Sequence, residues 1–154
     1  MSTYTELYDQ DFYAWTQSTA ELIRAGKWYD LDREALAEEV ESLGRNENRE
    51  LEHQLEVLVV HLLKWRYQPE KRARGSSWLR TILEQRRRLH RLVSQSPSLR
   101  PTLPAILTES YAYIRQRASL ETHLSLTTFP ETCPWQLEEQ ILHDDFWPEG
   151  EPMP

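Results

Sequence analysis

One apolar stripe, which repeats at helical spacing from Leu36 to Trp65, constrains the fold of this chain most strongly. An α-helix turns by about 100° per residue, and eight apolar side chains fall within about 120° of arc on that basis. These residues are Leu36, Val40, Leu43, Leu51, Leu55, Leu58, Leu62 and Trp65. Their phase continues past Gly44, where a turn between two helices would normally shift it. The pattern therefore predicts one long helix from Arg33 to Arg66, capped by Asp32 and with Gly44 in its interior at a cost of about 1 kcal/mol.

Apolar residues recur at helical spacing in the rest of the chain as well, and no segment alternates as a strand would. The other predicted helices are Asp9 to Ala25, Ser76 or Ser77 to Val93, Ser98 to Leu124, and a short C-terminal helix that begins at Pro134 behind a Thr132 cap. Gly26 suits the residue that follows the first of them, because glycine adopts positive φ without strain. The predicted fold class is an all-α helical bundle of four main helices plus a short C-terminal helix.

Length and composition favour one cytoplasmic domain. The 154 residues correspond to a single domain, with a core over about 5–147 and an acidic, Pro-rich tail over 148–154. Cys133 is the only cysteine, so the chain has no internal disulfide. The first residues lack the pattern of a secretory signal, and no apolar run approaches the length of a membrane span. We therefore expect a soluble protein without a membrane partner.

Charge is distributed unevenly along the chain. The net charge is −7, yet residues 64–91 hold ten Lys or Arg and only two acids, whereas residues 30–56 hold ten acids and three Arg. The basic patch candidates are Lys64, Arg66, Lys71, Arg72, Arg74, Arg87, Arg88 and Arg91. Such a segment can bind a polyanion, or it can pack beside an acidic element of the same chain. The second interpretation is favoured, because the overall acidity opposes nucleic-acid binding at long range.

Several charged residues share the predicted apolar faces. Glu47 lies inside the stripe of the long helix with Glu50 at its edge, Arg86 lies near the stripe of the third helix, and Arg117 and Glu121 lie on that of the fourth. Because an isolated buried charge is costly, these groups must pair or reach water. We expect Glu47 within salt-bridge reach of Arg86 or Arg117, with Glu121 completing the group. The alternatives are a closed ion-pair network and a polar pocket for a carboxylate or phosphate.

The sequence contains no complete catalytic or metal-binding motif. Glu50 and His53 match half of a di-iron E-x-x-H pair, but the second copy that such a site needs is absent. A site formed by His53, His61 and His123 is disfavoured, since the first two point in different directions. Cys133 is interpreted as a structural thiol. No metal and no cofactor is predicted, and no catalytic residue can be assigned.

The chain also resembles a bacterial family known only as domain of unknown function family 29. The stretches that carry the resemblance are L-Y-x-x-D-F-Y-A-W (Leu7 to Trp15), L-A-E-E-V-E-S-L-G (Leu36 to Gly44), H-L-L-K-W-x-x-Q-P (His61 to Pro69), S-W-x-x-T-I (Ser77 to Ile82), S-P-S-L (Ser96 to Leu99), E-T-x-L (Glu121 to Leu124) and F-P-x-x-C-P (Phe129 to Pro134). They occur in order and cover nearly the whole chain. The resemblance implies a compact all-α domain from the bacterial cytosol, and it implies no activity.

The sequence leaves the function unknown, and three hypotheses follow from it. The first is a non-enzymatic protein that binds an unidentified protein partner or assembles with itself, since no catalytic set is complete and the surface charge is polarised. The alternative is a small enzyme or binding protein for a phosphorylated or carboxylated metabolite, with or without a metal ion. The second alternative is nucleic-acid binding through residues 64–91.

Overall fold

The structure is a computed structural model that describes residues 3–74 and 77–149, with side chains at 6–72 and 77–149. Within those ranges the α-helices are α1 (Thr3–Gln10), α2 (Phe12–Arg24), α3 (Arg33–Tyr67), α4 (Ser77–Gln95) and α5 (Leu103–Thr122). The described residues contain no strand. The all-α fold class predicted from the sequence is therefore confirmed. None of the described helices is both long enough and apolar enough to cross a membrane.

The long helix predicted from the apolar stripe is present as α3, a single helix of 35 residues. Asp32 begins it as predicted, because its Oδ1 accepts a hydrogen bond of 3.1 Å from the backbone N–H of Ala35. Gly44 lies inside the helix, and a Cβ atom at this position would meet no atom within 4 Å. No close approach of another group therefore requires glycine there.

The first predicted helix is interrupted, which the apolar pattern did not indicate. Asp11 has φ −147° and ψ 86°, outside the helical region, and it separates α1 from α2. Its Oδ1 accepts a hydrogen bond of 3.0 Å from the N–H of Ala14 and so caps α2. At the other end, Gly26 has φ +70°, in agreement with the positive φ expected of this residue.

The last two predicted helices begin later than expected. A 3-10 helix, Pro97–Thr102, comes first, and α5 starts only at Leu103. Pro104 lacks a backbone N–H, so a helix from Ser98 would lose the hydrogen bond to the carbonyl of Arg100, whereas in α5 Pro104 lies in the first turn, where that donor is not needed. The predicted C-terminal helix from Pro134 is a single π-helical turn, Leu137–Ile141, so the Thr132 cap is wrong.

The shorter connecting elements complete the chain. They are the 3-10 helices Trp28–Asp30, Pro69–Arg74 and Leu126–Thr128. Of the sequence predictions, the Ser76 cap and residues 150–154 of the tail lie outside the described residues.

By its internal contacts the chain forms two compact units, Met1–Asn46 and Glu47–Pro154. They are called the N-terminal and the C-terminal unit below. Few of the described side chains of the N-terminal unit are buried, namely Trp15, Thr19, Leu22 and Ala35. The C-terminal unit holds the main core, which α3, α4, α5 and the segment after α5 build together. Its fully buried members include Leu51, Leu55, Leu58, Leu62, Ile82, Leu103, Ile114 and Ile141.

Candidate functional site

Glu47 lies on the surface, so the prediction that it points into the core is wrong. Its Oε2 accepts a hydrogen bond of 3.0 Å from the hydroxyl of Ser96, directly after the end of α4. No ion pair joins Glu47 to Arg86 or Arg117 among the described residues. Within the C-terminal unit Glu47 lies beside the end of α4 and is open to solvent, so helical phase alone did not predict its surroundings.

Arg86 is fully buried, and its partners are backbone carbonyls. Its Nε donates to the carbonyl of Ile141 at 2.8 Å, and its Nη2 donates to that of Phe146 at 2.7 Å. Longer contacts reach the carbonyls of Gln140 and Asp144. Burial lowers the pKa of Arg86 to about 10, so the side chain remains protonated at neutral pH. Arg86 thus holds the C-terminal segment against α4 and is not available to a ligand.

Arg117 and Glu121 do form a pair, and Lys64 completes the group in place of Glu47. Arg117 Nε lies 2.8 Å from Glu121 Oε2, and Lys64 Nζ lies 3.0 Å from Glu121 Oε1. Burial alone would raise the pKa of Glu121, but the hydrogen bonds and charges of the two cations lower it overall. Lys64 is nearly buried, so this group ties α3 to α5 at the edge of the core.

A charged cleft of about 440 Å³ lies between α3 and α4 in the C-terminal unit. The residues that line it are Glu47, Glu50, Arg87, Arg88, Arg91, Leu92 and Gln95. All of them are exposed except Leu92, which is half-buried and supplies an apolar wall. The structure thereby brings two predicted pocket residues, both acids, together with three members of the predicted basic patch.

Two of the cleft arginines are positioned by an acid that does not line the cleft. Arg87 donates to both oxygens of Glu84, at 3.1 and 2.9 Å, and Arg88 donates to Glu84 Oε1 at 2.9 Å. These hydrogen bonds lower the pKa of Glu84 to about 2, and those from Arg87 have the largest effect. The carboxylate of Glu84 is therefore ionised at neutral pH. Spacings of three and four residues on one helix place the three side chains together.

Most members of the basic patch are paired inside the chain. Lys64 contacts Glu121, Arg66 and Arg72 contact Glu149, and Arg87 and Arg88 contact Glu84. Arg72 also lies over the ring of Trp65, at 5.2 Å from its centroid, and burial lowers the pKa of Arg72. Lys71 and Arg91 are exposed, whereas the side chain of Arg74 lies outside the described set.

The N-terminal part of α3 carries an uncovered apolar surface. Val40 and Leu43 are 60% and 68% exposed, although they continue the stripe to which the buried Leu51 and Leu58 belong. Ala37 and Gly44, both exposed, lie beside them on the helix. These four residues, Ala37, Val40, Leu43 and Gly44, are called the α3 apolar strip. This part of the apolar stripe therefore lies on the surface.

Metal-ligand geometry is absent from the part of the chain that the structure describes, where no group of three or more His, Cys, Asp or Glu side chains could hold an ion. His61 is half-buried, and its Nδ1 lies 2.8 Å from the carbonyl of Val57. Burial lowers the pKa of His61. Burial also raises the pKa of the Cys133 thiol, which makes it a poor nucleophile at neutral pH.

Sequence reasoning missed the two features that shape the cleft. One is Glu84, whose pairing with Arg87 and Arg88 could have been found from its spacing on α4. The other is the register between α3 and α4, which brings Gln95 and Ser96 beside Glu47. No local pattern indicates such a register, because it depends on how the two helices pack.

A family model matches most of the chain. Residues 7–147 match the family model described as Domain of unknown function DUF29. Neither the curated proteins nor the solved structures contain a match to the chain. Since the family model covers nearly all of the sequence, the chain belongs to the DUF29 family, a family without an assigned function.

Proposed function

We propose that this protein acts by binding another protein through the α3 apolar strip. The observation that carries the proposal is the exposure of Val40 and Leu43 on a helix whose later turns bury the same stripe. Contiguous exposed apolar surface on a folded protein commonly marks an interaction site. Trp28 and Tyr29 of the same unit are 59% and 103% exposed, and such aromatic residues often dominate binding energy.

The charge around the strip indicates the chemistry of the partner. The first 46 residues hold ten acidic side chains and four basic ones. Glu34 and Glu41 lie along one edge of the strip, at about 120° and 100° from Val40 around the helix axis. Arg45 lies 3.8 Å from Glu41, so Glu34 is the more open of the two acids. Both are exposed. An amphipathic helix with an apolar stripe and flanking Lys or Arg would complement this surface.

Two observations favour a protein over a nucleic acid as the partner. The cations of the basic patch are largely neutralised by Glu84, Glu121 and Glu149, so few remain for phosphates. The strip itself is apolar and acid-flanked, which suits a basic protein helix and repels a polyanion. We place this activity in the cytoplasm, an expectation supported by the single cysteine.

The experiment measures the binding of two synthetic amphipathic peptides, one of Leu and Lys and one of Leu and Glu, by isothermal titration calorimetry. We expect the Lys peptide to bind at least about tenfold more tightly than the Glu peptide. The double variant Val40→Asp/Leu43→Asp should lose at least about tenfold of that affinity, as for a central interface residue. The matched control is Leu120→Asp, since Leu120 is 76% exposed on α5 of the other unit.

Two outcomes would contradict the proposal. Equal affinities for the two peptides would remove the charge argument, and an unchanged affinity in the double variant would remove the strip as the binding surface. Light scattering compares the oligomeric state of the wild type with that of the double variant. A wild-type dimer that becomes a monomer in the double variant would show that a second copy covers the strip.

A further inference from the structure

The charged cleft between α3 and α4 presents opposite charges that do not neutralise each other. Glu50 and Arg91 both line it, yet neither forms an ion pair or side-chain hydrogen bond with another residue of the described ranges. One carboxylate oxygen of Glu47 accepts the hydrogen bond from Ser96, and the other oxygen remains available to a ligand. Unpaired positive and negative side chains that line one cleft can bind a molecule that carries both a negative and a positive charge.

Two of the three arginines on the positive side of the cleft are oriented by an acid of the same helix. Glu84 fixes the guanidinium groups of Arg87 and Arg88 from outside the cleft, as the hydrogen bonds above show. Each guanidinium has five N–H donors, so further donors remain available. A group that is already positioned loses less side-chain entropy when a ligand binds.

The negative side lies toward the end of α4. Glu47 lies beside Ser96, immediately after the last residue of the helix, Gln95. The free carbonyl groups of a helix C-terminus favour a cation nearby. Glu47 and this helix end together favour a ligand ammonium group here and disfavour a simple phosphate or carboxylate.

We propose that the charged cleft binds a small dipolar metabolite that carries a carboxylate and a protonated amine. The amine lies toward Glu47 and Glu50, and the carboxylate toward Arg87, Arg88 and Arg91. A volume of about 440 Å³ is within the range of small-molecule sites, which is about 300–1,000 Å³. The half-buried side of Leu92 accommodates the methylene groups between the two charges. This site is independent of the α3 apolar strip.

The test is a titration of the full chain with glycine, γ-aminobutyrate and ε-aminocaproate, followed by proton–nitrogen correlation NMR. These probes differ in the separation of their charges. Caproate and hexylamine serve as single-charge controls. We expect a saturable response around Glu50 and Arg91 for at least one dipolar probe, and at least about tenfold weaker binding for caproate and hexylamine, because each lacks one charge-assisted contact.

Two variants separate the two halves of the cleft. Arg91→Gln should weaken the dipolar probe by about tenfold and leave hexylamine unaffected, whereas Glu50→Gln should weaken the dipolar probe equally and leave caproate unaffected. The controls are Arg49→Gln, about 100° from Glu50 around α3 and outside the cleft lining, and Glu109→Gln, an exposed acid of α5. Absence of a saturable response to every dipolar probe would overturn the proposal, as would equal binding of a dipolar probe and its single-charge analogues.

Discussion

The two units of this protein share one helix and differ in how its apolar stripe is covered. In the C-terminal unit Leu51, Leu55 and Leu58 are completely buried, whereas Val40 and Leu43 in the N-terminal unit are mostly exposed. The residue types and the helical phase are the same in both parts. Periodicity therefore specifies which side chains share one face of a helix, while burial depends on which elements lie opposite that face.

The two units also differ in how far their polar contacts are buried. The C-terminal unit anchors its last segment by Arg86 and His90, which contact backbone carbonyls of Ile141 and Leu142. In the N-terminal unit the hydrogen bond between Tyr8 and Glu39 joins α1 to α3. The loss of a buried contact in the C-terminal unit should therefore lower the free energy of unfolding far more than the loss of a contact in the N-terminal unit.

The largest expected effect follows from removal of Arg86. Arg86→Ala leaves a cavity and several buried carbonyls without their donor, so we expect a loss of about 3–5 kcal/mol in the free energy of unfolding. Arg86→Lys should lose less, because it keeps the charge but not the fork of donors. Urea unfolding measures both. Arg49→Ala, at an exposed site, is the control, and equal stability of the Arg86→Ala and Arg49→Ala variants would contradict the anchoring role.

The second prediction compares the two parts of the stripe directly. Leu58→Ala should cost about 2–5 kcal/mol, because Leu58 is fully buried. Leu43→Ala on the same helix should cost less than about 0.5 kcal/mol, because Leu43 is 68% exposed. Thermal or urea unfolding of the two variants supplies the comparison. Similar losses would mean that the strip is covered in solution, for example by a second copy.

The sequence predicted the fold class and α3 well, because both depend on local periodicity. It also predicted that Arg86 points inward, yet it could not supply the partners. Those partners are backbone carbonyls near Ile141 and Phe146, and a carbonyl occurs in every residue regardless of side chain. Glu47 shows the complementary failure, since it shares the phase of the apolar stripe and yet lies exposed beside the end of α4.

The candidate site was predicted in fragments only. Glu50 was proposed for a pocket and Arg91 for a basic patch, and the register of α3 against α4 joins them in one cleft. Arg117 and Glu121 were predicted as neighbours four residues apart, which helical geometry guarantees. Their third partner, Lys64, comes from another helix, so only tertiary packing could reveal it.

A smaller effect is expected for the group around Glu121. Glu121→Gln should cost about 1 kcal/mol near neutral pH, since partial exposure of the carboxylate lets solvent screen the pair with Arg117 and Lys64. The folded-state pKa of Glu121 is lowered, so this stability is present above the pKa of the unfolded chain and is lost as pH falls through the folded-state value.

Urea unfolding of both proteins at a series of pH values from neutral into acid should therefore show the gap between wild type and Glu121→Gln narrowing as the pH falls. Glu109→Gln, an exposed acid on the same helix, is the control. A gap that persists unchanged at the lower pH would show that the charge of Glu121 is not what stabilises the group.

The smallest expected effect concerns the link between α1 and α3 in the N-terminal unit. The Tyr8 hydroxyl donates to Glu39 Oε1 at 2.5 Å, and this hydrogen bond raises the pKa of Tyr8 to about 12. The link is therefore intact below the ordinary tyrosine value of about 10 and is lost as pH rises through the folded-state pKa.

An ultraviolet difference titration of wild type against Tyr8→Phe isolates the ionisation of this residue. Glu39→Gln should move it toward the ordinary value, whereas Glu34→Gln, at an exposed acid of the same helix, should not. An unchanged Tyr8 titration in Glu39→Gln would mean that the hydrogen bond does not form in solution, and the ring contacts of Tyr8 with Phe12 and Trp15 would then be what holds Tyr8 in the N-terminal unit.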